Sequence, residues 1–131
     1  MQSNYSVTID SFTERHFIKS FEKKYKQAWD VALIAITDQF ERIDNLLNTP
    51  RAEIISSFES IKIIKTEFRI PTTKESAKTS GNRCIIAVDE KIKHVSILLV
   101  YCKTDIEGSN ETAWWKRIIK VQYPEYKAVL A

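Results

Sequence analysis

Three features of this 131-residue chain predict an α+β fold, in which an N-terminal helical hairpin packs on a small antiparallel sheet and a C-terminal helix follows. Apolar residues recur at helical spacing from Phe12 to Leu47, give way to Ile- and Val-rich runs between Ile61 and Tyr101, and return to a helical pattern from Glu111. At this length, with 44% hydrophobic residues, one compact domain over 1–131 is expected, with 122–131 as a C-terminal extension.

The first helix opens near Phe12, with Ser11 as its expected cap, and lines up Phe17, Phe21 and Tyr25 on one side. Past a short polar link around Lys26, Trp29, Leu33, Ile36, Phe40, Ile43 and Leu47 recur at steps of four and three and form a second stripe. Asp38, Glu41, Arg42 and Asp44 fall on the opposite side, and Asn48-Thr49-Pro50 ends the segment. A link that short makes the two helices antiparallel neighbours, and their role is to build a scaffold.

Tyr5 to Ile9 has the makings of a short first strand. The clear strands are Ile61 to Ile70, Arg83 to Asp89 and Ile92 to Tyr101, bounded by polar turns. Alternation in the first of these places Ile64, Phe68 and Ile70 on a buried face and Lys65, Glu67 and Arg69 on a charged, solvent-facing one. Lys103 is expected on the same side of the last strand as Tyr101, Leu99 and Ile97. A helix over Glu111 to Val121 follows and stops before Pro124.

A hairpin turning at Glu90-Lys91 would set Cys84 opposite about residue 97 and leave Cys102 some five positions away, beyond disulfide reach, so both cysteines are expected reduced. His16 and His94 are isolated, and no metal or other cofactor is expected. The apolar run near Ile97 to Val100 is too short to span a bilayer, and the N-terminus lacks a signal-peptide pattern, which points to a cytoplasmic protein with no membrane partner.

The net charge of +3 is modest, but its distribution is not even. Residues 1–61 hold 7 basic and 9 acidic groups, whereas 62–103 hold 9 basic and 4 acidic groups and the tail from 113 is also net basic, so the positive field belongs to the sheet and tail. Within it Arg69, Lys74, Lys78 and Arg83 cluster around a polar loop that ends at Gly81-Asn82. Cations so spaced between strands suit an anion, and the anion expected is RNA.

The order of a helical hairpin, Phe68-Arg69-Ile70, Lys74 and Lys78 leading into Ser80-Gly81-Asn82-Arg83, and a strand ending in Tyr101-Cys102-Lys103-Thr104-Asp105 resembles the RelE/ParE superfamily of toxin-antitoxin toxins. The RelE-like branch, with spaced lysines before a Ser-Gly-Gly-x-Arg turn and a final Tyr-x-Lys-x-Asp, is the nearest in pattern. The resemblance covers about residues 5–121; the second glycine of that turn is replaced here, and Glu75 and Ala77 stand where the branch has loop glycines.

The resemblance implies a toxin neutralised by a cognate antitoxin that cleaves mRNA on the ribosome, by attack of an RNA 2′-hydroxyl on the adjacent phosphate. Negative charge builds on phosphate oxygens in that reaction, so preorganised cations lower its barrier. It implies Arg83, Lys74, Lys78, Tyr101 and Lys103 as catalytic candidates, and Arg69, Lys74, Lys78, Arg83 and Lys103 as RNA-binding residues.

Arg83 is the foremost phosphate ligand, since its planar fork holds two oxygens; a salt bridge with Glu67 or Asp105 is the competing role. A lysine, Tyr101 or a tail phenol is left to accept the 2′-hydroxyl proton. The branch's C-terminal active-site tyrosine aligns with neither Tyr123 nor Tyr126 unambiguously.

Adjacent Trp114 and Trp115 cannot share one helical face, so one is expected to pack on the sheet and the other to be exposed for antitoxin or base contact. Two alternatives to the ribonuclease stand beside it: a ParE-like inhibitor of DNA gyrase, and a degenerate member that only binds antitoxin or RNA.

Overall fold

The computed structural model describes residues 4–71, 76, 80–106 and 110–130, with the side chain of Asp105 excepted. Strand β1 (Ser6–Ile9) leads into α1 (Ser11–Thr13), a π-helical turn (Glu14–Ile18) and α2 (Lys19–Tyr25). Its cap is Asp10, whose carboxylate accepts from the Phe12 amide, rather than Ser11. Lys26, at φ 52°, is the single link to α3 (Gln27–Glu41), and a break at Arg42 separates α3 from the short α4 (Ile43–Leu46). The hairpin predicted from the two stripes is present; Trp29, Ala32, Ile36, Phe40, Ile43 and Leu46 are its buried residues there.

The sheet consists of β1 with β2 (Ala52–Phe58), β3 (Ile61–Glu67), β4 (Asn82–Asp89) and β5 (His94–Cys102), in the order β1-β5-β4-β3-β2. It is antiparallel except that β1 lies parallel to β5. The sequence reading had no counterpart to β2, whose Ala-Glu-Ile-Ile-Ser-Ser-Phe run lacks strict alternation. A register shift between Ile54 and Ser56 is the physical reason for the broken pattern.

Helix α5 (Glu111–Gln122) closes the other face of the sheet and is capped by Asn110, whose side chain accepts from the Ala113 amide. Two apolar layers result, one on each side of the sheet. The N-terminal helices cover Ile64, Phe68, Cys84, Ile86, Val88, Val95, Ile97 and Val100. Under α5 lie Ile63, Ile85, Ala87, Leu98, Leu99 and Tyr101, joined by Trp115, Ile119, Tyr123, Val129 and Leu130. The segment after α5 thus contributes to this second layer, through a 3-10 turn at Pro124–Tyr126.

A bulge in β5 corrects two expectations. Ile85 pairs with Leu99 but Ile86 with Ile97, so Leu98 is the extra residue. Ile97 therefore faces the N-terminal helices, while Leu99 and Tyr101 face α5. Thr13 Oγ1 and Tyr123 Oη both bond the Leu98 carbonyl, Tyr123 at 3.1 Å, and to each other at 2.8 Å, so this carbonyl at the bulge is satisfied by side chains.

The bulge and the longer turn also reset the hairpin. Asp89 pairs with His94, and Cys84 lies opposite Val100, not residue 97. Cys102 pairs with Asn82, which makes the two cysteines diagonal neighbours, at a separation of about 7–8 Å for such positions. That exceeds the usual disulfide span of about 4.4–6.8 Å, and both thiols are free and buried.

Candidate functional site

The second layer changes character at one end of the sheet. Glu67, Arg83 and Tyr101 are direct cross-strand partners on β3, β4 and β5, so pleating places all three side chains in one row on the α5 side. Lys65 is two residues before Glu67 on β3 and shares that face. The first residue of α5, Glu111, drops onto the row: its Oε2 accepts from Tyr101 Oη at 2.6 Å and lies 3.2 Å from Lys65 Nζ.

Arg83 is 5% exposed, although the alternation of the sequence had marked this face as open to solvent. Its Nη1 donates to the Asn82 carbonyl at 3.0 Å, and its Nη2 lies 3.9 Å from Glu67 Oε1. The salt bridge with Glu67 that competed with a phosphate role is therefore present, at the long end of contact. Lys65, Glu67 and Glu111 keep about a quarter or slightly less of their side chains exposed, so the rim of the cluster still meets water. The solvent-facing cationic surface expected here is instead a mixed, half-buried cluster, because α5 begins above it.

The electrostatics follow from that geometry. Burial pushes the Tyr101 hydroxyl well above the ordinary phenol range, and the hydrogen bond and negative charge of Glu111 add to the effect against the opposing charge of Arg83. Burial also works to raise Glu111, but the hydrogen bonds from Tyr101 and Lys65 and the positive charges of Lys65 and Arg83 outweigh it and hold the carboxyl below its usual value. Tyr101 is accordingly a proton donor at neutral pH.

Beside the cluster a cleft of about 310 Å³ runs along the edge of the sheet, lined by Pro50, Arg51, Ala52, Glu53, Lys65 and Glu67. Its walls are charged. Two of the lining residues, Lys65 and Glu67, belong to the cluster itself.

The other residues singled out from sequence lie elsewhere. Lys103 is exposed on a 3-10 turn, and its amide donates to the Gly81 carbonyl at 2.8 Å. Gly81 has φ +78°, a conformation that favours glycine, and a Cβ there would meet Lys103 Cγ at 3.2 Å, a close contact that the lysine stem would have to relax. Arg69 is exposed beyond the end of β3, where its Nη2 reaches the Pro71 carbonyl at 3.5 Å. Lys74 and Lys78 lie outside the described residues.

Of the tryptophans, Trp115 is fully buried under the sheet, as one of the pair was expected to be. Trp114 is half-buried rather than exposed: its ring packs edge-on against Tyr101 at 5.1 Å and Phe17 at 6.3 Å. This contact gives the Tyr101 ring an aromatic neighbour on α5. Tyr123, pushed up to about 12 chiefly by burial, sits at the far end of α5 with Tyr126, about 18 Å along the helix from Glu111, and neither joins the cluster.

Among the described residues there is no group of side chains able to hold a metal ion, and no helix is long and apolar enough to cross a membrane. Lys65 and Glu111 were not anticipated as site residues. The local signal for Glu111 is its place directly after the Asn110 cap, but only the docking of α5 shows what it meets.

A mixed five-stranded sheet with a helical hairpin on one face and a single helix on the other defines an α+β fold of the RelE-like kind. Among solved structures the chain is similar to a chain of the archaeal RelE-RelB complex from Pyrococcus horikoshii OT3, matched at 16% identity and a TM-score of 0.53 over 79% of this chain and 99% of that one. Neither a family model nor a curated protein sequence matches the chain.

Proposed function

We propose that this protein is the toxin of a toxin-antitoxin pair and that it cleaves mRNA on the ribosome, with a cognate antitoxin as its protein partner. The observation that carries this reading is the row Glu67–Arg83–Tyr101, joined by Lys65, on the α5 side of a RelE-like sheet. Such a row offers what phosphodiester cleavage by a neighbouring 2′-hydroxyl requires. Arg83 and Lys65 stabilise the charge that accumulates on the phosphate oxygens, and Tyr101 supplies an O–H donor held in place by its ring contact with Trp114. Glu67, 3.9 Å from Arg83, is the carboxylate placed to accept the 2′-hydroxyl proton. Lys74, Lys78, Arg69 and Lys103 serve in this reading as contacts to the RNA backbone beyond the row.

The chemistry is internal transesterification. The 2′-oxygen forms a bond to phosphorus, the bond to the 5′-oxygen of the next nucleotide breaks, and the proton lost from the 2′-hydroxyl is balanced by one delivered to that leaving oxygen. A cyclic 2′,3′-phosphate and a 5′-hydroxyl remain.

Arg83→Ala is the direct test. In a reconstituted translation reaction the parent protein is expected to cut messages within the reading frame, and Arg83→Ala to cut them about 10- to 1,000-fold more slowly, the loss associated with one preorganised donor. Continued translation alongside loss of gyrase supercoiling would replace this reading with the ParE-like one. The burial of Arg83 and the closure of its site by Glu111 favour one second reading, a member that binds antitoxin or RNA without cutting. Message binding with no cleavage by the parent would establish it.

A further inference from the structure

Glu111 Oε2 takes two donors at once, the Tyr101 hydroxyl at 2.6 Å and the Lys65 ammonium at 3.2 Å, beside the Arg83 guanidinium. One oxygen held by an O–H, an ammonium and a nearby guanidinium is the environment a non-bridging phosphate oxygen would seek. We infer that Glu111 is an internal ligand of this site, its carboxylate standing where a substrate phosphate binds, so that phosphate and Glu111 compete for Tyr101 and Lys65. The inference rests on the reading of the cluster as a phosphate site and adds how that site is occupied when no nucleic acid is bound.

Several observations fit a stand-in better than a base. Both donors converge on one oxygen, so the carboxylate is already engaged, and its lowered proton affinity makes it a poor acceptor. Glu111 is the first residue of a 12-residue helix, where the exposed amides favour negative charge of either origin. The side chain is 25% exposed, so it reaches water by rotating about its own bonds while Trp115 and Ile119 keep the helix seated. Vacating the site therefore needs no unfolding of α5.

The test uses inorganic phosphate as probe, at constant ionic strength, and reads the thermal midpoint of the parent and of Glu111→Gln. The amide keeps the shape and loses the charge. Phosphate is expected to raise the midpoint of Glu111→Gln with an apparent affinity at least about tenfold tighter than for the parent, the loss of one competing charge-assisted contact. Adding Lys65→Met to Glu111→Gln should abolish the gain. If Glu111→Gln does not fold, Glu111→Ala serves, with far-UV circular dichroism as the control for both.

Equal response of parent and variant to phosphate, or a weaker one in the variant, overturns the inference. No message or ribosome is present in this assay. A protein that cuts mRNA while both forms respond equally retains the function and loses the internal ligand, and a protein that cuts nothing but shows the tenfold gain does the reverse.

Discussion

The two faces of the sheet are built from the same strands and differ in what the alternate residues do. Toward the N-terminal helices the described residues of β3 to β5 are apolar apart from Lys62, Thr66 and Asn82, with Thr66 Oγ1 donating to the Cys84 carbonyl at 3.4 Å, and aromatic packing fills the gap: Trp29 meets Phe21 at 4.9 Å and Phe68 at 6.0 Å. Toward α5 the layer is apolar only from Leu98 and Ile85 inward, and it ends in Lys65, Glu67, Arg83, Tyr101 and Glu111. A cluster of five polar side chains at the border of a core is a poor choice for stability alone, because each buried charge gives up hydration that its partner only partly restores. Packing explains one face. The other carries the polar row that packing alone does not explain.

Breaking the scaffold face should have the largest effect. Trp29 is fully buried between helix and sheet, and Trp29→Ala is expected to lower the unfolding free energy by about 3–5 kcal/mol, measured by urea denaturation. A cost below about 1 kcal/mol would mean that this layer is not the core it resembles.

Tyr101→Phe sharpens the contrast, since it removes one oxygen and leaves the ring on Trp114. Hydrogen bonds to charged groups contribute about 1.5–3 kcal/mol, and the partial exposure of Glu111 reduces that here to about 1–2 kcal/mol. The pH profile carries the sign. Glu111 is held below its ordinary value of 4.5, so its contribution is complete above that pH and is lost as the pH falls through its folded value. Tyr101 is raised above 10.0, so its contribution is complete below that pH and is lost as the pH rises further. Between these limits the two groups leave stability flat. Urea midpoints across pH 3–11 should show Tyr101→Phe losing part of the acid slope and part of the alkaline slope; unchanged slopes would detach both groups from the cluster.

The scaffold face was legible because its signals are local. A helical stripe from Trp29 to Ile43 and Ile-rich runs around 64, 86 and 97 announce themselves in any window of the chain. The parallel placement of β1 is a choice made by distant segments. The β5 bulge at Leu98 breaks the period of two with no glycine to mark it, which is why Ile97 was assigned to the side of Tyr101. The candidate site was half legible. Arg83 and Tyr101 were named from the resemblance, and the structure brings them together, while Lys103 and Arg69 stay apart from them. Lys65 and Glu111 were hidden because their meeting depends on where a helix 46 residues further along the chain comes down on the sheet.

The three tryptophans give each face a reporter, Trp29 among the N-terminal helices and Trp114 beside Tyr101, with Trp115 on the buried side of α5. The most direct test of the α5-side row as the functional surface is a nitrogen-proton correlation spectrum recorded as a short single-stranded RNA is added. Shifts in the Arg83 Nε and Trp114 indole signals, with the Trp29 indole unmoved, are the result predicted. Movement of Trp29 with Arg83 and Trp114 unchanged, or no shift of Arg83 at saturating RNA, would contradict it.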